Sequence, residues 1–279
     1  MRKEDFDLLS KILKERSGLV LSEDKVYLLE SRLTPIARKK GMETLDDLIN
    51  EIRLRRKEDL LSEVTDAMTT NESFFFRDNT PFDLFKEDVL PGLLKSRATS
   101  KRLRIWCAAA STGQEPYSLA IILKEMEAQL SGWRIEIVGT DLSQQVLDKA
   151  KAGIYSQFEV QRGLPIKLLM KYFTQAGEMW QISENIRNMV TYRPFNLLEN
   201  FSLLGSFDVI FCRNVLIYFH QDTKGDVLNR LRGQLPDDGT LFLGAAETVL
   251  GLTDKFKPVS GKRGMYKTSD FMAQSLKAG

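Results

Sequence analysis

The stretch over residues 103–118, LRIWCAAASTGQEPYS, limits what this chain can fold into more than any other. Leu103, Ile105 and Trp106 are apolar and suit a buried strand. Residues 107–110 are small enough for a ligand to lie against the main chain. Ser111, Thr112 and Gly113 make a bend. Pro116 then falls in the first turn of a helix, where its missing N–H costs nothing. A strand, a glycine-bearing turn and a helix N-terminus form the opening unit of a nucleotide-binding α/β domain.

The turn does not read as a phosphate site, because it has neither G-x-G-x-x-G nor G-x-x-x-x-G-K-[ST]. Glu115 stands where an anion would meet the helix dipole. A carboxylate there repels phosphate and attracts an ammonium group, so the ligand implied is a nucleoside with a cationic, amine-bearing tail. S-adenosylmethionine fits that description. The alternative is that Glu115 only complements the helix dipole.

With 279 residues the chain can bury a substantial core in more than one domain. A formal net charge of +2 gives no global field for nucleic acid or a membrane surface. No apolar run approaches the ~20 residues of a membrane span. Residues 1–9 lack a signal-peptide core, and the expected location is cytoplasmic. Cys107 and Cys212 lie in strand-like runs and read as reduced core thiols, with no metal site expected. His220 is the only histidine, which argues against Ser-His-Asp chemistry and multi-histidine metal centres.

Residues 1–70 read as a helical domain. Phe6, Leu9 and Leu13 share one face, with Gly18 as a stop. Val26, Leu29, Leu33 and Ile36 make a second, with Ser22 as cap and Pro35 expected to bend or interrupt it. Leu45, Leu48, Ile49 and Ile52 make a third, capped by Thr44, and Leu61, Val64 and Met68 a fourth. Two basic clusters stand out: Arg38, Lys39 and Lys40, and Arg53, Arg55, Arg56 and Lys57. They read either as solvated helix faces or as a docking surface for an acidic partner.

Residues 71–101 read as a linker motif and a helix. Within TTNESFFFRD, Asn71 and Ser73 offer hydrogen bonds or a helix cap, the phenylalanines an apolar wall, and Arg77 a cation for a carboxylate. Residues 102–279 read as the α/β domain. Its second strand, 134–138, ends in GTDLS, which puts Asp141 where such folds hold ribose hydroxyls. Asp141 could instead cap the next helix, although Ser143 can do that. Residues 153–190 break the α/β alternation and read as an inserted β-subdomain. A strand then runs into a loop at Asn196. FDVIFCRNVLIYF, residues 207–219, begins as a buried strand and ends in Arg213, Asn214 and Tyr218; site residues gather at such strand ends. A helix, a strand at 240–245 and a closing hairpin over 256–268 follow.

Three motifs therefore stand in one order: NESFFFR, then ASTGQEPYSLA with GTD, then FDVIFCRNVLIYF. Together they resemble the CheR family of chemotaxis-receptor methyltransferases over nearly the whole chain. The resemblance implies a helical N-terminal domain and a class I S-adenosylmethionine-dependent methyltransferase sheet with an inserted β-subdomain. It implies methyl transfer from S-adenosylmethionine to glutamate side chains on chemoreceptor cytoplasmic helices, with S-adenosylhomocysteine as product. The family motif N-x-[ST]-x-F-F-R falls on Asn71, Ser73, Phe75, Phe76 and Arg77, the turn acid on Glu115 and the ribose acid on Asp141. The N-L pair falls on Asn196 and Leu197, the R-N pair on Arg213 and Asn214, and the active-site tyrosine on Tyr218. Ser73 stands where the family often has Thr, Gln114 where it often has Glu, and residues 244–247 read G-A-A-E where it often has G-H-S-E.

Arg77 and Tyr218 are thus expected to orient the acceptor carboxylate, and Asp141 to anchor the ribose. Rival readings are a nucleic-acid methyltransferase, for which no [ND]-P-P-[YF] run exists, and a cofactor-binding signalling module without turnover. The stretch after Phe173 is compact, so no tether to a receptor C-terminal pentapeptide is expected, and docking falls to the helical domain through Arg53, Arg55, Arg56 and Lys57. The expected state is a monomer.

Overall fold

The computed structural model describes residues 1–278, with side chains through residue 274. The chain divides into two compact units: residues 1–70 with 218–223, and residues 71–217 with the chain from Lys224 on.

The first unit holds α1 (Lys3–Ser17), α2 (Val26–Lys39), α3 (Leu45–Arg55) and α4 (Glu58–Met68). Their apolar faces meet in one core that includes Leu9, Leu13, Leu29, Leu33, Leu48, Ile52 and Val64. Helix α1 stops at Gly18, whose φ of 76° is left-handed and whose N–H caps the Lys14 carbonyl. Helix α3 starts in a capping box, with Thr44 and Asp47 satisfying each other's main chain. Pro35 lies inside α2 without interrupting it. Its ring is exposed, while buried Leu33, Ile36 and Ala37 hold the helix to the core.

One polar group lies inside this unit. The Asp5 side chain is fully buried and takes hydrogen bonds from Arg2 Nε at 2.8 Å and Arg53 Nη2 at 2.5 Å. Arg53 thus bonds the buried Asp5 while its own side chain stays 38% exposed. Arg55 and Lys57 share the exposed side of Glu51 at 3.3 Å each. Among the described residues no carboxylate pairs with Arg56, the left-handed residue that ends α3.

The second unit begins with α5 (Thr80–Leu84), a π-helical turn (Phe85–Val89) and α6 (Leu90–Ser96). The strands β1 (Arg102–Cys107), β2 (Arg134–Asp141), β6 (Val190–Pro194), β7 (Val209–Cys212), β8 (Thr240–Leu243), β9 (Phe256–Pro258) and β10 (Met265–Thr268) form one sheet in the order β6-β2-β1-β7-β8-β10-β9. The first five are parallel; β10 and β9 are antiparallel. Burial of both faces explains the continuous apolar run of β7 and the apolar end of β1, Ile105–Cys107. Helices α7 (Gln114–Glu125) and α8 (Gln144–Ala152) follow β1 and β2. A separate antiparallel sheet, β3-β5-β4, is built from β3 (Ile154–Ser156), β4 (Phe173–Ala176) and β5 (Met179–Ile182), alongside α9 (Gln157–Gln161), α10 (Ile166–Tyr172) and α11 (Glu184–Arg187). Helix α12 (Gln221–Arg232) precedes β8, and α13 (Ser269–Ala278), which the sequence reading did not anticipate, follows β10.

The buried Asp5 gives a test of the helical unit. Its carboxyl is held below the ordinary value, first by the Arg2 hydrogen bond and against the opposing effect of burial. A depressed folded pKa contributes stability above the unfolded value of about 3.9, lost as pH falls through the folded value. Asp5→Asn is expected to cost about 2 kcal/mol at pH 7, the scale of hydrogen bonds to a charged group. That difference should shrink as pH falls through the folded value of Asp5. Urea midpoints of both proteins across pH check it; a pH-independent difference would overturn it.

Candidate functional site

The site grows from the carboxyl ends of β1, β2 and β7, where parallel strands point unpaired polar groups out of the sheet. After β1 the chain turns through small residues. Ala108 N–H bonds to the Phe211 carbonyl of β7 and Ala110 N–H to the Thr140 carbonyl of β2, both at 2.8 Å. The turn is thus stitched to the strands on either side. Gly113 has a φ of 94°, and a Cβ there would fall 2.7 Å from the Tyr192 hydroxyl, so glycine is required by both conformation and space. Tyr155 supports the turn from below, its hydroxyl donating to the Thr112 carbonyl at 2.8 Å.

Asp141 closes β2. One carboxylate oxygen accepts the Ser111 N–H at 2.9 Å and the other the Ser143 N–H at 3.1 Å. It therefore fixes the turn after β1 as well as its own loop. Ser143 is the N-cap residue of α8 but makes no side-chain cap bond to the helix.

The segment 71–79 is not a helix start, and neither Asn71 nor Ser73 caps one. It is a turn laid against the others. The Asn71 carbonyl accepts the Ser111 hydroxyl at 2.9 Å, and Phe76 N–H donates to Ser118 Oγ at 2.9 Å. Phe75 is fully buried, edge-on to Tyr155 and Phe173 with centroids 5.1 and 5.5 Å away. Asn71, Ser73, Phe76 and Arg77 are half-buried.

Arg213 joins these pieces. Its side chain is 1% exposed. Nη1 donates to Glu115 Oε2 at 2.8 Å, and Nη2 to Asp78 Oδ2 at 2.7 Å and the Arg77 carbonyl at 2.9 Å. Burial pushes the Glu115 pKa up, and Arg213 pulls it back. Asn214 follows in a left-handed conformation, φ 59°. Five of the seven non-glycine residues with positive φ lie in these stretches: Phe76, Asp78, Asn79, Ser111 and Asn214. Such backbone is sparsely populated and collects where a surrounding structure over-determines it. On the β6 side, Asn196 is half-buried and its Oδ1 accepts Leu198 N–H at 3.0 Å, while Leu197 is buried.

Direct bonds thus form two sets: Asn71 and Asp141 joined through Ser111, and Arg77, Asp78 and Glu115 joined through Arg213. Tyr218 belongs to the other compact unit, where its carbonyl accepts the Val20 N–H at 3.0 Å. Sequence reasoning gave no role to Asp78 or Glu247. Glu247 accepts four main-chain N–H groups: Asn214 at 2.8 Å and Gly244 at 2.7 Å on Oε2, Val215 at 2.9 Å and Ile217 at 3.3 Å on Oε1. The four-residue run G-A-A-E was the available signal, because an acid just past a strand end can serve a neighbouring strand's loop. Cys107 and Cys212 are buried free thiols whose pKa burial pushes well up, so neither is an activated nucleophile.

Removing Arg213 would leave the buried Glu115 carboxylate without its cation. Arg213→Ala is expected to destabilise by about 3–5 kcal/mol near neutral pH, as for other broken buried pairs. The raised folded pKa of Glu115 sets the sign. The folded form holds its proton longer than the unfolded chain, so the penalty is small below the unfolded value of about 4.3 and grows as pH rises through the folded value. Chemical denaturation at several pH values checks this; a larger penalty in acid would refute it.

Residues 4–69 match the family model described as CheR methyltransferase, all-alpha domain, and residues 71–265 match CheR methyltransferase, SAM binding domain. The chain is 43% identical over 265 residues to chemotaxis protein methyltransferase 1 of Pseudomonas aeruginosa, covering 94% of this chain and 96% of that one. It is 42% identical over 252 residues to chemotaxis protein methyltransferase 1 of Vibrio cholerae, covering 89% and 90%. It is 32% identical over 255 residues to the chemotaxis protein methyltransferase of Escherichia coli, covering 90% and 86%. With the all-α unit, the parallel sheet and the turn after β1 in place, the chain belongs to the CheR family of S-adenosylmethionine-dependent methyltransferases.

Proposed function

We propose that this protein methylates glutamate side chains on the cytoplasmic helices of chemoreceptors, using S-adenosylmethionine and releasing S-adenosylhomocysteine, as part of chemotactic adaptation. The observation that carries the reading is the pair of bonded sets at the strand ends, Asn71–Ser111–Asp141 and Arg77–Arg213–Glu115. The donor set suits the cofactor. Asp141 is a carboxylate at the end of β2, suited to ribose hydroxyls, and Glu115 is a carboxylate suited to an amine-bearing tail. Asn71, Ser73, Asn196, Leu197 and Asn214 complete the cofactor set as amide, hydroxyl and apolar contacts. Arg213 acts there as a positioning residue, since its donors go to Glu115, Asp78 and the Arg77 carbonyl.

When bound, the cofactor supplies a methyl group on a sulfonium, a good leaving group. The acceptor carboxylate is already ionised at pH 7, so the chain need supply neither base nor acid. Its task is to align one carboxylate oxygen with the methyl group and to strip its water. Arg77 pairs with the carboxylate and Tyr218 hydrogen-bonds an oxygen. Their hold should orient more than neutralise, because a tight grip on the ground state slows transfer. Receptor docking is assigned to Arg53, Arg55, Arg56 and Lys57 of the helical unit. The two-residue turn between β4 and β5 supports the absence of a pentapeptide tether. The working form is a cytoplasmic monomer.

Transfer of labelled methyl to receptor fragments as a base-labile product tests the reading, and base-stable label would defeat it. In that assay Tyr218→Phe should keep cofactor affinity and lose about 10- to 1000-fold in rate, the scale of one transition-state hydrogen bond. Asp141→Ala should weaken cofactor binding by about 2–4 kcal/mol in calorimetry. Unchanged affinity would remove Asp141 from the site. Methylation should also fall as salt rises, because exposed docking cations are screened over a Debye length of ~8 Å at physiological ionic strength.

A further inference from the structure

The inserted subdomain meets the 71–77 segment over one aromatic ring. The Arg162 guanidinium carbon lies 4.4 Å from the Phe74 centroid, and that of Arg77 lies 5.2 Å from the same centroid. Arg162 Nη2 donates to Glu72 Oε1 at 2.6 Å, while Arg77 Nη1 donates to the Glu72 carbonyl at 2.9 Å. Main chain, and not just a long side chain, delivers Arg162 to this place. Gly163 has a φ of 86°, and a Cβ there would fall 2.0 Å from the Phe75 carbonyl oxygen. The corner at 162–163 is thus packed directly on the backbone of the segment that carries Arg77.

Arg162 takes the Glu72 carboxylate, while Arg77 bonds the Glu72 carbonyl and, among the described residues, forms no ion pair; the neighbouring carboxylates Asp78 and Glu115 are bonded to Arg213. The one pair that exists is open to solvent, with Arg162 41% and Glu72 54% exposed. An exposed pair contributes little net stability, so a carboxylate arriving from outside can replace Glu72 at small cost. Arg162 also sits beside the cation assigned to the acceptor carboxylate, a place where an acidic helix would present a second acid.

We infer that Arg162 is a substrate-recognition residue of the insertion: it takes a carboxylate that flanks the methylated glutamate, and Glu72 is an internal stand-in which that carboxylate displaces. The inference rests on the proposed acidic helical substrate and adds to it a contact outside the helical unit. Glu72 is held in its ionised form by Arg162, so the exchange is of one carboxylate for another with no proton moved.

The two residues should then act with opposite sign. Arg162→Gln removes the cation and Glu72→Gln removes the competitor, yet both break the same ion pair. A purely structural pair would shift binding the same way in both. The measurement is calorimetric affinity of the full chain for a synthetic helical peptide from a glutamate-rich receptor methylation region, with S-adenosylhomocysteine affinity as control. Arg162→Gln should weaken peptide binding about three- to fivefold and Glu72→Gln should tighten it by a similar factor, the range of an exposed ion pair. Arg162→Lys should fall between wild type and Arg162→Gln, because it keeps charge without the planar fork. Both shifts should shrink in ~0.5 M salt. Shifts of the same sign, or none, overturn the inference. Peptide affinity decides it whether or not methyl transfer is seen, while absence of base-labile product from the wild type defeats the proposed function alone.

Discussion

The buried guanidinium of Arg213 is the contact on which the rest of the site depends. One planar fork reaches the first turn of α7 through Glu115 and the 71–78 segment through Asp78 and the Arg77 carbonyl, from its own place at the end of β7. These stretches are far apart in sequence, and only Glu115 lies in regular structure, at the start of α7. Only a group with several fixed donors can hold three such pieces in one geometry, and a lysine could not. A buried ion pair is a poor source of net stability, since desolvation offsets much of its attraction. Here its effect is on geometry: it determines where the main chain of Arg77 and the carboxylate of Glu115 stand.

Fixing those pieces lets the main chain adopt conformations it would otherwise avoid. Phe76, Asp78, Asn79, Ser111 and Asn214 all have left-handed backbone, an arrangement especially unfavourable for a residue as bulky as phenylalanine. Each is held by neighbours. The Ser111 N–H is taken by Asp141 and its hydroxyl by the Asn71 carbonyl. The Asn214 N–H is taken by Glu247. The Asn79 N–H is taken by the Phe76 carbonyl at 2.8 Å. The strain and the hydrogen bonds that offset it are parts of one construction, which turns polar main-chain groups toward the strand ends.

How much of this was legible in the sequence follows from the range of each interaction. The strand, turn and helix around Gly113 were readable because burial, bend and cap are local properties. Asp141 was readable because its place at a strand end follows from the α/β pattern. Glu247 was not: its importance lies in accepting main-chain N–H groups from the loop after β7, at sequence separations of 30, 32 and 33, and no side-chain pattern reports main-chain donors. Asp78 and the Arg162–Glu72 pair were missed for the same reason, since the latter bridges 90 residues. Pro35 stays within α2 because buried Leu33, Ile36 and Ala37 hold the helix to the core, a tertiary effect that its local cost does not report. Arg53 was legible as a surface cation, but its bond to Asp5 was not, because nothing local marks Asp5 as buried.

The charge pattern that emerges is divided by role. The acids of the strand ends are taken up by internal donors: Glu115 by Arg213, Glu247 by main-chain N–H groups, and both oxygens of Asp141 by Ser111 and Ser143. Carboxylates so fixed present negative charge in a set direction at little cost in reorganisation, which suits a cationic cofactor. Beside the segment that carries Arg77, the Arg162 guanidinium holds one exposed, exchangeable carboxylate, Glu72, while Arg77 bonds a main-chain carbonyl. An acidic acceptor would be drawn to that side and a sulfonium to the other. For a transfer in which an anion must meet a cation in line, such separation keeps the two reactants from competing for the same groups, and the buried Arg213 is what holds the two sides in register.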